Sequence, residues 1–223
     1  MIGVINYQTG NAQSVLFALQ HLGLEARLVA TPEEAPGVDR LILPGVGAAD
    51  VTMASLRERG WVEHLQDRVR GEGMPFLGVC VGLQVLFEHS REGDADCLGW
   101  LPGEVVEFRR GELRVPHMGW NAVRRTSAHP FATALPPAAH FYFVNSYHAA
   151  PADEADVAGV TEYGPEFASV VARGNVMATQ FHIEKSGPVG LALLSRFAEL
   201  RPEELRPEEL DAAELRVPAV PAC

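Results

Sequence analysis

The stretch Phe76-Leu77-Gly78-Val79-Cys80-Val81-Gly82-Leu83-Gln84 decides how the chain is organised. Pro75 to Val79 is an apolar run of strand length, and Gln84 to Glu88 returns at helical composition, so one or two residues remain for the reversal. A reversal that sharp crowds the backbone. The glycines two residues either side of Cys80 remove the β-carbons that would clash. The pattern is a strand-turn-helix elbow with cysteine at its apex, a geometry that lifts a nucleophile out of a sheet. Unpaired N–H groups and the positive end of the following helix favour a thiolate there, and the Val81 N–H faces the place where an oxyanion develops. The commoner use of a cysteine is as a small apolar core residue. The two glycines favour the nucleophile, and the decision rests on whether a base and a second oxyanion donor occur elsewhere.

Working outward toward the N-terminus, Ile2 to Ile5 reads as a buried strand, and Val15, Leu16, Leu19 and Leu22 recur at helical spacing after a loop. Glu25 to Val29 and Arg40 to Leu43 are the next strands. The second ends in Pro44-Gly45-Val46-Gly47, where two glycines let the Val46 peptide take either of two orientations and present its N–H to an anion; from this segment alone a plain Pro-Gly turn is the commoner reading. Val51 to Arg70 is helical in two pieces split at Gly60. Strands alternating with helices imply a flavodoxin-like, mainly parallel central sheet with helices on both faces and a site at the strand C-termini.

Toward the C-terminus the texture changes. Glu104 to Phe108, Trp120 to Val123, His140 to Val144, Val157 to Thr161, Ala168 to Arg173 and Val176 to Phe181 are closely spaced strand candidates, with a Gly-Asn hairpin signal at Gly174-Asn175. These predict an antiparallel extension, followed by an amphipathic helix through Gly190, Leu193, Leu194 and Phe197. From Glu199 a five-residue quasi-repeat begins, with Pro202 and Pro207 breaking any long helix. The domain is expected over 1–200, with 201–223 a solvated, disordered acidic tail.

The chain has 223 residues, 47% of them hydrophobic and 21% charged, enough for one real core. No apolar run is long enough to span a bilayer, and Met1 leads directly into strand residues without a basic, cleavable leader, so a cytoplasmic protein is expected. Cys80, Cys97 and Cys223 are an odd number at unrelated spacings, which argues against a disulfide framework. A net charge of −11, with Lys185 the only lysine, argues against nucleic acid as a partner. Composition cannot choose a base among eight histidines, but Phe181-His182-Ile183-Glu184 has the best local logic. If His182 ends a strand, Glu184 lies on the same face and can orient the imidazole while it takes the Cys80 proton. No third ligand stands at a characteristic spacing, so neither a metal nor another cofactor is expected.

In combination, Pro44 to Gly47, Gly78 to Gln84 and Gln180 to Ser186 resemble the triad glutamine amidotransferases. Adding Asn11, Pro116-His117-Met118-Gly119-Trp120-Asn121 and Tyr142-Phe143-Val144-Asn145-Ser146-Tyr147, the chain is similar over about residues 1 to 200 to the glutaminase-subunit family of the imidazole glycerol phosphate synthases. The resemblance implies that Cys80 attacks the glutamine side-chain amide, His182 shuttles protons and Glu184 supports His182. It implies an oxyanion hole at Val46 and Val81, and glutamine held by Gly47, Gln84, Glu92, Ser146 and Tyr147. Asn11, Trp120, Asn121, Tyr142, Asn145 and Lys185 would face a separate cyclase subunit that uses the ammonia in histidine biosynthesis. Asn145 stands where the family has histidine, Ile183 where it has proline, and Asn6 and Gln8 where it has Asp and Gly. Other readings stand beside it: the same glutaminase chemistry serving a different synthase, a Cys-His-Glu hydrolase of another amide or ester, and a catalytically silent regulatory or interaction protein on the same fold.

Overall fold

The computed structural model describes residues 1–7, 11–109, 111, 113–137 and 139–205. Gln8 and the rest of the tail from residue 206 onward lie outside these. In the first half, β1 (Ile2–Ile5), α1 (Ala12–His21), β2 (Ala26–Val29), β3 (Arg40–Leu43), α2 (Ala49–Glu58), α3 (Trp61–Leu65) and β4 (Phe76–Val79) alternate as the hydrophobic periods require, and the one-turn α4 (Val81–Gln84) follows the elbow. In the second half come β5 (His89–Ser90), β6 (Ala95–Asp96), β7 (Gly103–Glu107), β8 (His117–Ala122), β9 (Arg124–Arg125), β10 (His140–Asn145), β11 (Tyr147–Pro151), β12 (Val157–Glu162), β13 (Glu166–Arg173), β14 (Val176–Thr179) and α5 (Gly187–Glu199).

The spatial order β2-β1-β3-β4-β14 forms a parallel, flavodoxin-like block. β1, β4 and β14 are buried at every position, as strands covered on both faces must be. α1 packs beside α5 in one helical group, and α2 packs against α3 and α4 in another. β14 is the switch: it runs parallel to β4 on one side and antiparallel to β13 on the other, through the turn at Gly174, whose φ is +55°. Beyond it the sheet continues through β11, β7, β5 and β6, with β12 and β9 added to β13, while β8 and β10 pair separately as a two-stranded antiparallel ribbon.

Three expectations change. The elbow helix does not run to Glu88: the carbonyls of Val85, Leu86 and Phe87 accept from Leu98, Trp100, Leu101 and Gly99, so the chain is drawn into a loop instead of a second helical turn. His182 does not end a strand, because β14 stops at Thr179 and Ile183–Lys185 form a 3-10 turn. The folded domain also extends past residue 200. Pro202–Leu205 form a further 3-10 turn, Leu205 is 3% exposed, and Arg196 bonds Glu204 at 3.0 Å. Leu205 recurs in the quasi-repeat but meets a core surface that periodicity alone does not reveal.

Candidate active site

Cys80 has φ +56° and ψ −105°, a conformation that costs a non-glycine residue roughly 1–3 kcal/mol. Its surroundings enforce it. The Cys80 N–H donates to Thr179 O at 2.8 Å, and its carbonyl accepts from Leu83 N at 2.9 Å. A β-carbon on Gly78 would overlap the Gly82 carbonyl, and one on Gly82 would overlap the Leu43 carbonyl. β3, β4 and α4 therefore meet at backbone contact, and the two glycines are what allow it. Because α4 is a single turn, its dipole adds little to thiolate stabilisation. Support for a charged sulfur has to come from side chains.

The side chains of His182 and Glu184 are both fully buried, with Nδ1 of the imidazole 2.9 Å from Glu184 Oε1. The 3-10 turn brings them together in place of the strand alternation. Asn11 Nδ2 joins the pair, donating to Glu184 Oε1 and lying 3.2 Å from His182 Nδ1. The other ring nitrogen, Nε2, is buried and is the one left to meet Cys80. Burial alone would depress the imidazole pKa, but hydrogen bonds to Cys80 and Glu184, and the negative charge both can carry, outweigh it and push His182 up to about 9. Cys80, His182 and Glu184 thus form a line with the proton held on the ring at neutral pH.

This line opens on a pocket of about 490 Å³ whose walls include Val46, Gly47, Val81, Gln84, Glu92, Ser146 and Tyr147. Gly47 has φ +109°, so the Val46 peptide sits in a turn that only glycine completes without strain. Glu92 is half-buried; burial and the nearby Asp50 charge raise its pKa, against a bond from Ala49 N–H that lowers it. A larger cavity of about 1130 Å³ lies between β9, β12 and the segment around Leu135, but no thiol or imidazole lines it. The smaller pocket is the candidate site.

One residue behind the pocket wall carries no role in the sequence reading. Gln180 is fully buried, its Nε2 3.8 Å from Cys80 Sγ and its Oε1 3.3 Å from Gln84 Nε2. The signal was there: it is a long polar side chain inside the apolar run Val176 to Phe181.

The residues expected at a partner surface divide. Trp120 is 56% exposed, packs its edge on Tyr142 across the β8–β10 ribbon and lies near Met118, itself 62% exposed. Lys185 is exposed and Asn121 half-buried, the latter donating to Glu162 O at 2.9 Å. Asn145 departs from that expectation: it is 6% exposed, lines the candidate pocket and donates to Tyr147 O at 2.9 Å. It shares the inward parity of Phe141 and Phe143 along β10, opposite to Tyr142. Asn11 is likewise turned inward to the His182–Glu184 pair. His117 stacks between Phe143 and Tyr163, and burial depresses its pKa to about 4, so it is a neutral core ring. Ile183, in the place of the family's proline, is fully buried.

The family glutamine amidotransferase class-I matches residues 3–199. The chain is a class-I glutamine amidotransferase. It is 46% identical over 200 residues to imidazole glycerol phosphate synthase subunit HisH of Desulfitobacterium hafniense (strain Y51), covering 89% of this chain and 94% of that protein. The subunit of the same name from Dehalococcoides mccartyi (strain ATCC BAA-2266 / KCTC 15142 / 195) is 43% identical over 201 residues, 90% of this chain and 97% of the relative. Among solved structures, a glutamine amidotransferase superposes with a TM-score of 0.70 at 23% identity, covering 89% and 97% of the two chains. PurLQS from Thermotoga maritima superposes at 0.69 and 17% identity, covering 88% and 96%. At those identities the structures speak for the fold, and within this amidotransferase fold the elbow and the His182 turn occupy adjoining strand ends, β4 and β14. No helix among the described residues is long and apolar enough to cross a membrane.

Proposed function

We propose that this amidotransferase is the glutamine-hydrolysing subunit of an imidazole glycerol phosphate synthase, releasing ammonia to a cyclase subunit in histidine biosynthesis. The observation that carries the reading is the buried His182–Glu184 pair at 2.9 Å, with the imidazole facing Cys80 at a pocket large enough for an amino acid. Cys80 Sγ adds to the side-chain carbonyl carbon of glutamine, and the oxyanion is received by the N–H groups of Val46 and Val81. His182 delivers its proton to the nitrogen, the C–N bond breaks and ammonia leaves, with the acyl group held as a thioester.

Once the sulfur is acylated, its charge and hydrogen bond no longer hold the proton on the imidazole. Burial then acts against Glu184 alone, and His182 becomes the base that takes a proton from the attacking water. Glutamate leaves and the thiol is regenerated. Gly47, Gln84, Glu92, Ser146 and Tyr147 hold the substrate around this line. The exposed Met118–Trp120 face of the ribbon, with Tyr142, Asn121 and Lys185, meets the cyclase subunit; an aromatic of this exposure is a common anchor, and truncating it typically costs about 2 kcal/mol or more.

The test is glutamate release with and without the cyclase subunit and its nucleotide ligand. The reading expects little turnover alone, strong turnover in the complex, and for Trp120→Ala a Kd for the cyclase weakened about thirtyfold. Full activity of the lone chain, insensitive to the cyclase subunit, would contradict it.

A further inference from the structure

Gln180 shows no exposure to solvent, and a buried amide is tolerated only when both of its ends are bonded. Its neighbours fix which end is which. Gln84 Nε2 lies 3.0 Å from the Tyr147 carbonyl, a group that can only accept, so the nitrogen end of Gln84 points there. The same nitrogen reaches Gln180 Oε1 at 3.3 Å, which assigns the oxygen end of Gln180 to Gln84 and leaves its nitrogen 3.8 Å from Cys80 Sγ. The backbone holds this arrangement through Gln180 N–H to Ser169 O at 2.8 Å. Two consequences follow. Gln84 Oε1 is left as a buried acceptor with no partner, on a side chain that lines the pocket. The sulfur receives an N–H donor from a side chain outside the one-turn α4.

We propose that Gln180 is a positioning residue of the glutaminase site, accepting from Gln84 so that Gln84 Oε1 is presented to the substrate, and donating to the Cys80 sulfur so that its negative charge is held. The proposal rests on the glutaminase reading for its first half only; the second half concerns the thiol of the resting protein. Among the described residues, the titratable groups around that sulfur are His182, Glu184 behind it, and Glu92 across the pocket. All three are intact in the variants below.

The experiment measures the pH dependence of Cys80 alkylation by iodoacetamide on the full chain, together with kcat and KM for glutamine in the cyclase complex, for wild type, Gln180→Met and Gln180→Asn. Gln180→Met removes donor and acceptor at nearly constant volume. Gln180→Asn keeps the amide and the fold but withdraws it from the sulfur by about one bond length. A hydrogen bond to a charged group is worth about ten- to a hundredfold, so in both variants the alkylation midpoint rises by about one pH unit or more and kcat falls at least about tenfold. Gln84→Met, by contrast, raises KM while its alkylation profile stays with wild type. Variants of Gln180 that melt like wild type and alkylate with the wild-type pH midpoint would overturn the proposal. If wild type alkylates normally but never hydrolyses glutamine in the complex, the glutaminase reading fails while the thiol measurement still decides the hydrogen bond.

Discussion

Cys80 and His182 reach one pocket from two kinds of backbone. Cys80 is clamped between β3, β4 and α4, where carbonyls stand so close to Gly78 and Gly82 that no β-carbon fits. His182 precedes a 3-10 turn that packs on α5 at main-chain distance, a β-carbon on Gly190 overlapping the Ile183 carbonyl, and it is tied to β10 by its N–H to Tyr142 O at 2.9 Å, its carbonyl to Ser186 Oγ at 2.7 Å, and Ser186 Oγ in turn to Tyr142 N–H at 3.0 Å. Tyr142 belongs to the ribbon that carries Trp120 and Met118. The proposed nucleophile is therefore held within the parallel sheet and its elbow, whereas the proposed base is held by α5 and by the strand that the proposed partner covers. A site that answers to a partner needs one part that holds still and one that can be biased.

The comparison breaks most completely at the clamp. Gly82→Ala places a methyl group on the Leu43 carbonyl, and either β3 or α4 must move. Overpacking against backbone costs roughly 1–3 kcal/mol or more, and here the strained Cys80 conformation is lost with it. The expected result is a melting temperature lowered by many degrees, or no soluble protein; a normally folded, active Gly82→Ala would show that the elbow is looser than described.

Next in size is the proposed base. His182→Ala is expected to cut glutamine turnover in the complex by about 10²–10⁴-fold and to lower the melting temperature at neutral pH. Its titration sharpens the point. The pKa of His182 is raised from 6.5 to about 9 in the folded protein, so its contribution to stability is complete below about pH 6.5 and lost as pH rises through about 9. Melting temperatures measured over that window for wild type and His182→Asn should converge at the alkaline end. Parallel curves would mean that the ring is not held charged.

The smallest expected effect concerns the chain end. Burying a leucine contributes about 1.5–3 kcal/mol, so truncation after Leu200 should lower the melting temperature by several degrees, whereas truncation after Leu205 should leave it nearly unchanged. Equal melting temperatures for both truncations would return the domain boundary to residue 200.

Much of this was legible in the chain itself, for identifiable reasons. The parallel block is readable because β1, β4 and β14 are buried on both faces and appear as mainly apolar runs, and the elbow because two glycines flank one cysteine. What escaped depends on contacts between distant segments. The elbow helix is cut short by the loop 98–101, which takes its carbonyls. Strands β5, β6 and β9 have two residues each, too short for any period to register. The resemblance groups Asn145 with surface residues, although its alternation with Phe143 assigns it to the inner face. Glu184 neighbours His182 as its sequence position suggests, but through a 3-10 turn that strand alternation does not imply.

The most direct test of the central claim is product formation by the complex of this chain with the cyclase subunit when Cys80→Ala replaces the wild type, supplied in turn with glutamine and with ammonium salt at alkaline pH. If Cys80 serves only to release ammonia, glutamine-dependent synthesis is abolished and ammonium-dependent synthesis persists. A Cys80→Ala complex that still assembles but fails with both nitrogen sources, or one that still turns over glutamine, would contradict the account.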